Sequence, residues 1–208
     1  MTGRRNRLIP LIAATATALW LAGCGPQNTG GSADQTVSTG EALIGGPFQL
    51  VDQDGKVVDQ TLLDGKWTAV FFGYTYCPDV CPTTLQTLAA AQQKLGARAK
   101  DLQVVFVSVD PERDTPAQIK AYLAAPAFPK GTIGLTGSAA QVAAAAKAYR
   151  VYYQKQGTGE GYTLNHSSIV YLMNPKGKFD RVVSESQTPA EIATQIGDAI
   201  ASGPKAKA

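Results

Sequence analysis

With 208 residues, 44% of them apolar and 17% charged, the chain has the composition of an ordinary soluble protein and room for one domain with a full core. Its formal net charge of +3 is carried by Arg4, Arg5 and Arg7; beyond them, basic and acidic residues balance. That balance excludes the basic footprint of a nucleic-acid partner, and only the short Lys205, Lys207 tail could suggest a polybasic membrane patch.

In chain order, the three arginines precede an almost uncharged run over residues 8–22 that meets Leu21-Ala22-Gly23-Cys24. The run is shorter than the ~20 apolar residues a bilayer-crossing helix needs, so residues 1–23 are expected to be a cleaved secretion signal. Residues 24–46 are rich in Gly, Ser, Thr, Gln and Asn and predict a flexible tether reaching roughly 25 Å at ~5–6 Å × √n. A folded domain is expected over 47–203, with a disordered tail at 204–208.

The domain opens with a predicted hairpin, strands 48–51 and 56–58 around the turn Asp52-Gln-Asp-Gly55. Residues 67–72 form an apolar run that predicts a buried strand, with Trp67, Phe71 and Phe72 in the core. Leu85, Leu88 and Leu95 have helical spacing, which predicts a helix over 82–94 ending at Gly96. Pro82 suits the first helical position, which would make Cys81 the N-cap and leave Cys77 in the loop before it. A Val-rich strand is expected over 102–109.

Next comes a helix through Leu123, opened by Asp114-Thr-Pro116 with the acid or the threonine as cap. Arg113 and Asp114 read as a solvated turn and cap. Leu135-Thr-Gly-Ser138 leads into a helix over 139–149, and Tyr149, Tyr152 and Tyr153 read as packing residues or a partner surface. A hairpin, 167–173 and 179–183 around Asn174-Pro-Lys-Gly177, and a helix over 188–200 close the chain. Strands thus alternate with helices until a final antiparallel pair. That order predicts an α/β domain, a mixed central sheet with helices on both faces and an extra N-terminal hairpin, for which the thioredoxin-like fold is the familiar arrangement.

Cys77 and Cys81 stand at the start of a helix, where unpaired N–H groups and the helix dipole favour thiolate, the form that binds metal or attacks a disulfide. A structural disulfide is the bland alternative, although so short a loop restrains the unfolded chain little. His166 is the only histidine. A lone histidine is a satisfied polar residue more often than a ligand, yet two thiolates and an imidazole make a coherent copper site: sulfur selects Cu(I) and imidazole also suits Cu(II). Zinc would need a carboxylate or water as fourth ligand. Cys81-Pro-Thr83 echoes a peroxidase motif of the peroxiredoxin type, but the threonine required three residues before the reactive cysteine is Pro78 or Tyr74 here.

Four stretches carry a more specific resemblance: Phe71-Phe-Gly-Tyr-Thr-Tyr-Cys-Pro-Asp-Val-Cys-Pro82; Val107-Ser-Val-Asp-Pro-Glu-Arg-Asp-Thr115; Gly134-Leu-Thr-Gly137 with Ala148-Tyr-Arg-Val-Tyr-Tyr153; and Tyr162-Thr-Leu-Asn-His-Ser167 with Tyr171-Leu. Across about 48–200 the chain resembles the Sco/SenC family of copper chaperones for cytochrome c oxidase assembly. The resemblance implies a thioredoxin-like fold, copper held by Cys77, Cys81 and His166, and delivery to the dinuclear copper site of oxidase subunit II. It also implies a copper donor protein and a thiol reductant as partners, and it links Asp110 to copper transfer or partner contact. The family often has Asp immediately before the histidine, where this chain has Asn165.

Leu21-Ala-Gly-Cys24 resembles the bacterial lipobox, which implies a lipid on Cys24 and a domain anchored on the periplasmic side of a bacterial envelope membrane. A reductase that keeps the cysteines of the copper site reduced uses the same thiols and stays open as the alternative.

Overall fold

A computed structural model describes residues 44–184 and 186–204. The expected signal, Cys24, most of the tether and the last four residues lie outside the described residues. The first hairpin forms where the Asp-Gly turn predicts it, β1 (Gln49–Asp52) antiparallel to β2 (Val57–Asp59) with Leu50 opposite Val58. Gly55 supplies a φ of 83°, and the Asp52 carboxylate accepts from the amides of Asp54 and Lys56 at 2.9 Å each, the self-bonding that suits Asp to turns.

The elements that follow are β3 (Trp67–Gly73), α1 (Val80–Lys94), β4 (Leu102–Ser108), α2 (Pro116–Leu123), β5 (Ile133–Thr136), α3 (Ala139–Ala148), β6 (Tyr153–Gln156), β7 (Thr163–His166), β8 (Val170–Met173), β9 (Phe179–Val183) and α4 (Pro189–Ser202). Seven strands make one sheet in the order β2-β1-β5-β4-β3-β8-β9, and β6 with β7 makes a separate hairpin. β3, β4 and β5 run parallel; β1, β8 and their partners pair antiparallel. This is the mixed sheet with an N-terminal hairpin that the element order predicts.

β3 is buried at every position, so its alternation feeds two cores. Val70 and Phe72 face Val105, Val107, Leu135 and Tyr149, the side that α3 covers. Phe71 faces Phe106, centroids 6.1 Å apart, on the side of α1, α2 and α4. Each large side chain buried in this way contributes roughly 1.5–3 kcal/mol. α2 lies so close to β5 that a Cβ on Gly134 would stand 2.1 Å from a methyl carbon of Ile119; only glycine admits the helix there.

Three helix starts explain themselves locally. Thr115 caps α2 by accepting from the Gln118 amide at 3.2 Å, ahead of Pro116. Ser138 with Gln141, and Thr188 with Glu191, form capping boxes on α3 and α4. Three strands went unpredicted. β5 is four residues with a glycine inside, and the β6–β7 hairpin carries Tyr-Gln-Lys-Gln, too polar for a strand pattern.

Candidate metal centre

The sheet order brings distant residues together. β3 and β4 are parallel, so the loop holding Cys77 and the loop holding Asp110 leave the same edge of the sheet. β8 runs antiparallel to β3, with Val170 opposite Phe71, so the segment entering β8 arrives at that edge as well. It carries His166. The Sγ atoms of Cys77 and Cys81 and a ring nitrogen of His166 all lie within 4.8 Å of one another, the one such group among the described residues. Donors at about 2.0–2.3 Å from a single ion lie no more than about 4.6 Å apart, so the three need only close slightly.

α1 starts earlier than its proline suggests. Asp79 is the N-cap, although its side chain makes no capping bond, and the Thr83 amide donates to its carbonyl at 3.1 Å. Cys81 is therefore the second helical residue and Pro82 the third, a correction to the expected N-cap. Proline is tolerated there because the first four helical N–H groups have no acceptor inside the helix. The shift changes which sulfur the helix serves: the Cys81 amide donates to Cys77 Sγ at 3.4 Å, so the electropositive helix end acts on Cys77.

Both cysteines are free thiols, Cys77 half-buried and Cys81 fully buried. A hydrogen bond from the Cys81 thiol, aided by the Asp79 and Cys81 amides, outweighs burial and holds the Cys77 thiol down at about 3. Cys81 is pushed up, because its proton is engaged by the charged Cys77 and because it is buried. In the metal-free chain one sulfur is charged and the other keeps its proton, which a bound metal must displace.

Gly73 makes room for that buried sulfur; a Cβ there would stand 2.8 Å from Cys81 Sγ and 2.9 Å from Phe106 Cε2. His166 Nε2 lies 3.4 Å from Cys81 Sγ, and Nδ1 lies 3.1 Å from the Ser167 carbonyl oxygen. Nδ1–H donating to that oxygen leaves the Nε2 lone pair for a ligand, the usual arrangement of a metal-binding histidine. Rings of Phe71 (6.4 Å) and Tyr74 (5.7 Å, nearly perpendicular) pack against the imidazole. The backbone of Ser167 thus orients the ring, and Asn165, exposed on β7, does not have to. An open pocket of about 300 Å³ leads to Cys77 and His166 past Pro78, Asn165 and Ser168.

Asp110 lies outside the donor group. It is 3% exposed, and its carboxylate accepts from Arg113 Nε at 2.6 Å and from the Tyr162 hydroxyl at 2.5 Å. Asp114 is no solvated cap. It is completely buried, accepts from Ser108 Oγ and Thr75 Oγ1 at 2.6 Å each and from the Thr75 amide at 3.0 Å, and so fastens the start of the cysteine loop to β4. Burial nonetheless pushes its carboxyl above the usual range. Arg113 too is largely buried and stacks on tyrosines; no local pattern distinguishes it from a surface arginine. Of Tyr149, Tyr152 and Tyr153, the first is core, the second is exposed and the third is partly buried against the core.

The SCO1/SenC family model matches residues 36–201. Mitochondrial SCO1 homolog 1 of Arabidopsis thaliana is 46% identical over 144 residues, 68% of this chain and 42% of that protein, so this chain spans less than half of that relative. SenC of Rhodobacter capsulatus is 42% identical over 159 residues, 75% of this chain and 70% of that protein. Among solved structures, Bradyrhizobium japonicum ScoI with copper bound is 45% identical, with 74% of this chain and 98% of that one covered and a TM-score of 0.68. The fold is therefore thioredoxin-like, as these neighbours are, and a match that takes in every strand and helix described above but the last residue of α4 means that the chain belongs to the SCO1/SenC family.

Proposed function

We propose that the chain carries copper as cargo, held by Cys77, Cys81 and His166, and delivers it to the dinuclear copper site of cytochrome c oxidase subunit II. The convergence of those three donors within 4.8 Å is the observation that carries the reading. Two sulfurs and one imidazole suit Cu(I), which accepts low coordination, and the imidazole suits Cu(II) as well. The pocket beside Cys77 and His166 gives a recipient's ligands access from one side. Family membership supports the oxidase as recipient, with a copper donor protein and a thiol reductant upstream. In this proposal residues 1–23 are a signal, Cys24 is lipidated, and residues 24–46 tether the domain on the periplasmic side of a bacterial membrane. The resemblance gives Asp110 a part in transfer or partner contact; its buried, doubly bonded carboxylate favours a part played through Arg113 and Tyr162.

A second reading, a thiol-disulfide reductase acting on the same partner, is favoured by the asymmetry of the thiols. Cys77 is charged and reachable, and Cys81 is protonated and buried, the division between an attacking and a resolving thiol. In that step Cys77 and Cys81 become a disulfide, giving two electrons and the single proton of Cys81 to a partner disulfide that leaves as one thiol and one thiolate. Anaerobic titration of the reduced chain with Cu(I), Cu(II) and Zn(II), with each donor changed in turn, separates the readings. His166→Ala is expected to weaken copper binding severely and to leave dithiol exchange mostly intact. Unchanged Cu(I) affinity in that variant refutes the ligand assignment, and a wild-type chain that ignores copper but exchanges disulfides leaves the reductase.

A further inference from the structure

The hairpin that carries His166 stands outside the main sheet, and a two-stranded hairpin in water is marginal by itself. Its attachment to the body runs mainly through the segment after β4. Arg113 Nη1 donates to the carbonyls of Glu160 and Tyr162 at 3.2 and 3.0 Å. The Tyr162 hydroxyl donates to Asp110, and Lys155 pairs with Glu112 at 2.8 Å. One further bond, from the Leu164 amide to Tyr74 Oη at 3.2 Å, comes from the cysteine side.

We propose that Arg113 is a positioning residue of the metal centre, a clamp that joins the His166 hairpin to the Cys77 loop so that imidazole and thiols arrive as one donor set. The inference rests on the copper-binding reading and deepens it. The guanidinium carbon stands 3.6 Å from the centre of the Tyr162 ring on the hairpin, 4.6 Å from that of Tyr76, the residue before Cys77, and 5.9 Å from that of Tyr74, all within cation–π range. Tyr74 in turn packs against the imidazole. One planar cation therefore touches both donor-bearing segments, while Asp110 fixes it at 2.6 Å. Nη2 is buried without an acceptor, a cost that the carbonyl bonds and the stacking must offset. A lysine would keep the charge opposite Asp110 but would lose the fork and the stacking plane.

The test uses the whole chain, reduced and metal-free, as wild type, Arg113→Met and Arg113→Lys. Amide hydrogen exchange is expected to quicken at least tenfold across 153–166 in both variants, with β3 and β4 amides still protected as in wild type. Cu(I) affinity, measured by competition with a chromophoric chelator, is expected to fall about 10–100-fold, the usual effect of losing a group that orients a metal ligand. Adding Arg113→Met to His166→Ala should then lower affinity no further. Unchanged hairpin exchange, wild-type affinity, or an equal loss in the His166→Ala background each overturns the clamp. Exchange needs no metal, so a wild-type chain that binds no copper overturns the copper reading and is told apart from failure of the clamp. If Arg113→Met does not fold, Arg113→Lys carries both measurements.

Discussion

Gly73→Ala puts one methyl group where the site can least accommodate it. The new carbon would stand 2.8 Å from Cys81 Sγ, 2.9 Å from Phe106 Cε2 and 3.2 Å from Phe71 Cε1. Carbon contacts are optimal at about 3.5–4.0 Å, so the methyl is at least about 0.6 Å too close to two groups at once. Neither can retreat into solvent, because Cys81 and Phe106 are fully buried. Overpacking of this kind costs about 1–3 kcal/mol, at about 2–4 °C of melting temperature per kcal/mol for a domain of this size. The sulfur has the softer attachment, a single χ1 torsion, and turning it moves it relative to His166 Nε2, now 3.4 Å away. Cu(I) affinity should therefore fall about tenfold for each 1.4 kcal/mol of misplacement. The assay pairs urea unfolding with Cu(I) competition, with Gly134→Ala as control: that variant clashes with Ile119, away from the thiols, and should lose stability while keeping its affinity. Wild-type stability and affinity in Gly73→Ala would refute the packing argument; equal affinity losses in the two variants would refute its link to the sulfur.

Three other outcomes follow from the site. Iodoacetamide at pH 6 should label Cys77 and spare Cys81, because Cys77 is held down at about 3 and Cys81 is pushed up; mass spectrometry that finds Cys81 labelled first refutes the assignment of the charge. Asp114 has a raised carboxyl, so its favourable contribution is full below the unfolded value of about 3.9 and is lost as pH rises through the folded value. Asp114→Asn can offer its oxygen to the Thr75 amide and its NH₂ to Thr75 Oγ1, so its stability relative to wild type should rise as pH increases above the unfolded value of about 3.9; a difference in unfolding free energy that ignores pH contradicts this. Tyr74→Phe strands the Leu164 amide, a cost of about 1–3 kcal/mol for a buried donor, and should speed exchange at that amide while β4 amides keep their protection.

Patterns confined to one element were readable in the sequence. The turn at Asp52–Gly55, the apolar runs of β3 and β4, and the Thr and Ser caps depend on neighbours a few residues away. The donors were readable because cysteine and the sole histidine are chemically distinctive whatever surrounds them. What escaped depends on distant contacts. β5 needs a glycine because Ile119 presses on it, and nothing near Gly134 says so. The β6–β7 strands are polar because Gln154, Lys155 and Gln156 are all exposed and Leu164 is the one buried residue of the two, and the contacts that seat the hairpin come from residues 43 to 90 positions away. Arg113 and Asp114 resemble surface charges until the tyrosines, Thr75 and Ser108 that receive them are in place. The helix start moved for a related reason: a proline marks the first turn but does not say which residue of that turn it occupies.

The donor set is unevenly distributed along the chain, two thiols four residues apart and an imidazole 85 residues from the nearer of them. Unfolding therefore removes one donor and leaves the pair, since a short CxxxC segment can still close on a soft ion as a random coil. Ligand that also binds the unfolded chain stabilises the fold less than its affinity suggests. Melting curves of a copper-loaded chain would then report what folding adds to the bare thiol pair, the imidazole together with the preset geometry of the sulfurs, and heat or urea would strip the histidine from the ion before it frees the ion from the chain.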